Sequence, residues 1–186
     1  MIILFGAAGS GKSLQGRKLS EDYGWRWLSV GQLLREKQDP ILVRQMRAGG
    51  LVDDEYVVKM MHEAIMEAEQ AEAEAVLDGY PRDEWQAQWL VEHGDSAKID
   101  GAIILQVSEE ELWRRLEERG REDDTKEAIE RRWEIFRATI AKMQQILEDA
   151  GVKFAEINGE GTVEEVAERI RAALHGWGVV QKREEE

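Results

Sequence analysis

The sequence contains no cysteine, which excludes disulfides and cysteine-ligated zinc outright. Proline occurs only twice, and no low-complexity tract or internal repeat interrupts the chain, so a disordered or linker-like protein is not expected. No apolar run approaches the ~20 residues needed to span a bilayer. The apolar start is too short for a signal peptide and runs straight into a glycine-rich loop, so a cytoplasmic location is expected. Positive charge is scarce: 25 Lys and Arg stand against 39 Asp and Glu, a formal net charge of -14. Broad binding to nucleic acid or to a membrane surface is therefore disfavoured, since both need extended basic patches. An anionic ligand is possible only where a few cations gather locally. The three histidines (His62, His93 and His175) fall on predicted helices, and no Ser–His–Asp set accompanies them.

What is present suits one packed domain. The chain has 186 residues, 42% of them hydrophobic. Short apolar runs at Ile2–Phe5, Trp27–Val30, Ala75–Leu77, Gly101–Val107 and Lys153–Ile157 predict buried strands. Helical periodicity predicts helices between them: Lys12–Tyr23 with Leu14 and Leu19 inward, Gly31–Lys37, Ile41–Ala48, a longer one capped by Asp53, Asp83–His93, one capped by Ser108 with Glu111 completing a capping box, Thr125–Ala150 ended by Gly151, and Thr162–Leu174. The tail QKREEE should fray. Strands alternating with helices imply a three-layer α/β fold, a five-stranded parallel sheet covered on both faces with right-handed crossovers. In such sheets ligands sit beyond the carboxyl ends of the strands. Gly6, Gly31, Asp78, Val107 and Asn158 all fall at or just past such ends.

The motifs cluster at those ends. Gly6 to Ser13, GAAGSGKS, fits G-x-x-x-x-G-K-[ST] between a strand and a helix. Its glycines let backbone N–H groups turn inward as an anion nest, the helix start adds its positive dipole end, Lys12 can reach terminal phosphates and Ser13 can ligate Mg²⁺. DGYPR, Asp78 to Arg82, places a carboxylate at a strand end and aims an arginine across it. LSVGQLLR carries Arg35 one turn into a helix. RGREDD supplies Arg119 and Arg121, and Arg132 follows two turns into the next helix. Any one of these arginines alone would read as surface charge.

Together these stretches resemble the adenylate kinase family of nucleoside monophosphate kinases. The resemblance runs in order from Met1 to about Leu174, through the glycine loop, LSVGQLLR, AGGLVDDE, DGYPR, RGREDD, RRWEIFRAT and NGEG. It implies a P-loop domain over 1–186 with a small acceptor-nucleotide insert at about 31–60, a minimal lid at about 119–124 and a flexible tail at 176–186. The implied reaction is ATP + AMP ⇌ 2 ADP with Mg²⁺, by a monomer, with no nucleic-acid or membrane partner. Gly9, Ser10, Gly11, Lys12, Ser13 and Leu14 would hold the donor phosphates, and Arg119 and Gly161 the donor adenine. Arg35 and Arg82 would hold the acceptor phosphate, with Val30, Val52, Gly79 and Gln86 around the acceptor. Arg121 and Arg132 would flank the transferring group. Asp78, through water, and Ser13 would serve the metal ion. The family usually has threonine where Val30 stands, aspartate where Gln32 stands and glycine-threonine where Ser13-Leu14 stand, and its insert and lid are longer. Phosphoryl transfer is mostly positioning and charge stabilisation, so this set of cations is what the chemistry needs. Gln86, four residues after Arg82, offers an amide donor–acceptor pair that matches adenine, which predicts AMP as acceptor. Two other readings stay open here: a kinase for CMP and UMP, and a non-catalytic ATP-binding interaction protein.

Overall fold

A computed structural model describes residues 1–48, 52–93 and 99–180. Residues 49–51 of AGGLVDDE and the expected frayed tail 181–186 lie outside the described residues. Five strands, β1 (Ile2–Phe5), β2 (Arg26–Ser29), β3 (Ala75–Asp78), β4 (Gly101–Gln106) and β5 (Phe154–Asn158), form one parallel sheet in the order β2-β3-β1-β4-β5. Among the described residues eight helices connect or follow them: α1 (Lys12–Tyr23), α2 (Val30–Glu36), α3 (Pro40–Arg47), α4 (Asp54–Gln70), α5 (Glu84–His93), α6 (Glu109–Arg119), α7 (Lys126–Asp149) and α8 (Val163–Gly176).

The alternation of side chains along a strand builds two cores from one apolar run. Ile3 and Phe5 of β1 enter the core shared with α4, α5 and α7, where Val57, Met61, Ile65, Met143 and Leu147 are buried. Ile2 and Leu4 enter the opposite core, with Leu19 of α1 and Val166, Ile170 and Leu174 of α8. Both faces of β1 are fully buried, so it reads as a continuous hydrophobic stretch. A third cluster, Leu112, Leu116, Ile129 and Trp133, packs α6 against α7 beside the glycine loop. The chain leaves β1 in one direction to reach β2 and β3, and in the other to reach β4 and β5. The strand order therefore reverses at the carboxyl end of β1, which is where a crevice opens in such sheets.

Four local readings change. Leu14 does not face inward but is 51% exposed. The buried face of α1 runs through Gln15, Gly16 and Leu19, because the Gln15 amide donates to Val163 O at 2.9 Å and the Trp27 ring lies on Gly16. Ser108 caps α6 without a side-chain bond: its N–H goes to Glu160 Oε1 at 2.9 Å. Glu111 is drawn instead to Arg114 and Arg115, which hold its carboxyl down at about 2. The capping box appears at α8, between Thr162 and Glu165. Finally, α8 continues to Gly176, and Trp177, Val179 and Val180 pack on the core, so residues 176–180 do not form a free tail.

Candidate active site

The glycine loop leaves β1 at Gly6 and enters α1 at Lys12. Gly9 and Gly11 have φ of +93° and +97°, a region in which a side chain would be strained. Gly9 also approaches α6 so closely that a Cβ would stand 3.0 Å from Leu112 O. The Ser10 N–H closes a turn onto Ala7 O at 3.1 Å. Lys12 Nζ donates to Gly6 O at 2.6 Å and to Ala7 O at 3.0 Å. Burial lowers its pKa from 10.5 to about 8; Asp78 opposes the shift, and Arg82 and Arg119 add to it.

At the end of β3, Asp78 is 3% exposed. Its Oδ2 accepts from Ser13 Oγ at 2.6 Å and from Trp27 Nε1 at 3.3 Å. Gly79 then turns the chain at φ +75°, with a cis Tyr80–Pro81 bond following. Arg82 folds back so that its Nε donates to Gly79 O at 2.8 Å. Burial lowers the Arg82 pKa; Asp78 counters this, while Arg132 and Arg35 reinforce it.

Three helices and the α6–α7 turn bring further arginines to the same place. Arg35 donates to Asp123 at 3.2 Å. Arg132 donates to Asp123 Oδ2 at 3.0 Å, to Asp124 Oδ1 at 3.0 Å and to Met46 O at 2.8 Å. Arg119 grips Asp124 with two bonds of 2.8 and 2.7 Å. Arg47 pairs with Glu122. Burial works to raise the Asp123 pKa, but Arg35 and Arg132 outweigh it and hold it low. Arg121 is shifted down by burial and by its neighbours Arg119 and Arg35. A single cleft of about 590 Å³ is lined by Lys12, Ser13, Arg35, Asp78, Gly79, Arg82, Arg119, Arg121 and Arg132 together. Met46, Val52 and Phe136 give it an apolar wall.

Not every expected residue reaches that cleft. Gln86 is 1% exposed and lines no part of it. Its Oε1 accepts from Arg82 N at 3.0 Å and its Nε2 donates to Asp54 at 2.7 Å. Because α5 begins at Glu84, Gln86 lies in the first turn and points at the core, so its amide is engaged at both ends. Asp83 accepts from Gln86 N at 2.8 Å, and burial together with Asp54 raises its pKa. Gly161 is also off the cleft; its φ of +107° makes the turn into α8, where a Cβ would stand 2.5 Å from Glu165 Oε2. Val30 is fully buried in the core and offers no surface. Leu14 points to solvent, and its N–H is held by Gly11 O at 3.0 Å.

Three residues outside the expected set hold the loop and the Asp78 carboxylate. Trp133 Nε1 donates to Ala8 O at 2.9 Å. Arg115 joins Ser10 O (3.4 Å) to Gly159 O (3.0 Å). Trp27 holds the Asp78 carboxylate. No spacing rule marks them, because each contact depends on how a distant element is rotated.

Among the described residues no group of three or more His, Cys, Asp or Glu side chains could chelate a metal ion, and no helix is long and apolar enough to cross a membrane. Residues 5–130 match a family described as an AAA domain. Several curated proteins match almost the whole chain. A protein named adenylate kinase from Maricaulis maris is 37% identical over 187 residues, covering 93% of this chain and 97% of its own. Another so named, from Clavibacter michiganensis, is 35% identical, covering 96% and 94%. A third, from Thermus thermophilus, is 33% identical, covering 93% and 96%.

Proposed function

The chain belongs to the adenylate kinase family and, over residues 5–130, to the AAA domain family, and we propose a residue-level account of the reaction that this membership brings. The enzyme transfers a phosphoryl group from ATP to AMP, reversibly, giving two ADP. The observation that carries the account is the convergence on one cleft of Lys12, Arg35, Arg82, Arg119, Arg121 and Arg132 from separate elements. A protein that only bound ATP would need no second cationic site beyond the glycine loop.

Lys12 and the loop amides around Gly9, Ser10 and Gly11 cradle the donor phosphates. Arg35 and Arg82 take the acceptor phosphate, and Arg121 and Arg132 flank the group in transit. Arg119 packs on the donor base. Val52 and Met46 form the apolar wall against the acceptor base. The insert at about 31–60 and the lid at about 119–124 are the pieces that close over the two nucleotides. Their task is orientation, charge stabilisation and exclusion of water, since the reaction needs no covalent step from a side chain. Gln86 contributes by fixing the Arg82 turn through its backbone bond.

The oxygen donors here suit Mg²⁺. The Asp78 carboxylate and the Ser13 hydroxyl cannot by themselves enclose an ion, but Mg²⁺ is held by one or two carboxylates, retained waters and substrate phosphates. Asp78 would receive it through water with Ser13 beside it, and the ion would neutralise charge on the phosphates. The relatives named above do not favour a pyrimidine-nucleotide kinase or a non-catalytic binder. The test is kcat/KM for AMP, CMP, UMP and GMP at fixed Mg·ATP, read by coupled ADP formation. AMP should lead by at least about tenfold, which corresponds to about 1.4 kcal/mol. Equal rates with CMP or UMP would overturn the acceptor assignment.

A further inference from the structure

Trp27 stands on β2, next to the strand that ends in Asp78. The register pairs Trp27 with Val76 and Ser29 with Asp78. Its indole Nε1–H donates at 3.3 Å to Asp78 Oδ2, the oxygen that also accepts from Ser13 Oγ at 2.6 Å. Among the described residues no hydrogen bond reaches Oδ1. One oxygen of this 3%-exposed carboxylate is therefore tied by two donors, and the other is left for the cleft that Trp27, Ser13 and Asp78 all line.

The indole is itself held in place. It packs closely on Gly16, where a Cβ would stand 2.6 Å from Nε1. Gly16 is buried in mid-helix, a position where glycine is unfavourable relative to alanine, so the bare backbone makes room for this ring. On the ring's face the Arg17 guanidinium carbon sits 5.0 Å from the centroid. Neither restraint would be needed if the ring only filled space at a sheet edge.

We propose that Trp27 is a positioning residue for this reaction: its indole N–H, with Ser13, fixes the Asp78 carboxylate so that the free oxygen receives the hydrated Mg²⁺ of the nucleotide. The proposal rests on the assignment of Asp78 to the metal–nucleotide. Mg²⁺ demands near-ideal octahedral geometry and keeps its waters, so the direction of a carboxylate that receives those waters matters. It matters more here because Gln32, which also lines the cleft, is not a carboxylate and turns its amide to Glu36 at 2.8 Å.

Trp27→Phe keeps a ring on Gly16 and beneath Arg17 but removes the N–H. The half-saturating Mg²⁺ concentration should rise about three- to tenfold and kcat should fall comparably, the scale of one ordinary hydrogen bond, as suits a contact of 3.3 Å. The Kd for metal-free ATP and the KM for AMP should stay within about twofold. Trp27→His, a smaller ring with an N–H, should recover part of the Mg²⁺ dependence. A second readout needs neither turnover nor metal. Among the seven tryptophan indole resonances, the one lost in Trp27→Phe should move in metal-free Asp78→Asn. In wild type it should move on adding Mg²⁺ with a non-hydrolysable ATP analogue, and not with the analogue alone. If Asp78→Asn alters the Mg²⁺ dependence while Trp27→Phe does not, the role of Trp27 falls and the Asp78 site stands. If Asp78→Asn leaves that dependence unchanged, the site assignment itself falls. A Trp27→Phe enzyme that only melts lower, with wild-type Mg²⁺ dependence, reduces Trp27 to packing and overturns the proposal.

Discussion

Lys12 offers a quantitative test of the phosphate cradle. In the free protein its ammonium is directed at Gly6 O and Ala7 O, and burial, partly offset by Asp78, brings its pKa from 10.5 to about 8. About one free molecule in ten then carries a neutral Lys12 at pH 7, about half at pH 8 and about nine in ten at pH 9. Phosphates lying over the loop favour the ammonium and return its pKa towards the ordinary lysine value. Binding of ATP should therefore take up about 0.1, 0.5 and 0.9 proton at pH 7, 8 and 9. Titration calorimetry in pairs of buffers with different ionisation enthalpies measures that number directly. Lys12→Arg is the control, because a guanidinium keeps its charge throughout this range, and its uptake should be near zero. The same titration predicts that kcat/KM for ATP falls about tenfold per pH unit above about pH 8 in wild type but not in Lys12→Arg. Uptake near zero in wild type at pH 8 and 9, or equal uptake in the arginine variant, would refute the reasoning.

Arg82→Ala should leave ATP affinity within a few-fold of wild type but lower kcat by about 10² or more, the scale of one lost charge contact in the transition state; near-normal turnover would remove Arg82 from the site. Gln86→Ala leaves Asp54 and the Arg82 N–H without their buried partner, so it should destabilise the fold by about 1–3 kcal/mol, read as a lower Tm, and raise the KM for AMP; an unchanged Tm would contradict the hydrogen bonds seen. Asp83 has a raised pKa from burial and from Asp54, so its ionised form opposes folding at neutral pH, and that penalty fades as pH falls through the raised value. Asp83→Asn, which keeps the cap on Gln86 N, should thus raise Tm at pH 8 and lose that advantage near pH 4; a lower Tm at pH 8 would count against it.

The parts legible in the sequence are those set by local rules. An apolar run before a glycine-rich turn predicted Ile2–Phe5 and Lys12–Tyr23 with the observed bounds, because strand burial and the loop's positive φ values are both written in residue type. The convergence of Arg35, Arg82, Arg119, Arg121 and Arg132 was legible only through the family order of motifs, since no single spacing brings five distant arginines together. What stayed hidden depends on helix rotation. One position of rotation in α1 turns Leu14 to solvent and Gly16 to Trp27. The first-turn placement in α5 sends Gln86 into the core rather than the cleft. The contacts of Trp27, Arg115 and Trp133 span 51, 105 and 125 positions, and the position in the chain of one partner says nothing of the other.

A chain of net charge -14 binds polyphosphates because charge is sorted rather than balanced. Among the described residues seven basic side chains line the cleft against three acidic ones, so the local field is positive although the molecule is not. In the free form that concentration of cations is held by carboxylates of the α6–α7 turn: Asp123 joins Arg35 to Arg132, and Asp124 joins Arg119 to Arg132. Without them several half-buried guanidiniums would face one another unpaired, a larger penalty than the pairs themselves repay. A phosphate competes well with a carboxylate, since it carries more charge and three acceptor oxygens for the same planar donors. Because Asp123 touches Arg35 on α2 and Arg132 on α7, while Arg132 also reaches Met46 O on α3, an anion arriving on either side disturbs the same small set of bonds. With the proposed assignment, acceptor and donor sites are linked through a turn of only a few residues, and we expect closure of the proposed lid to be a local exchange of partners around Arg132; a large displacement of residues 119–124 between the free and the two-nucleotide-bound forms would refute this.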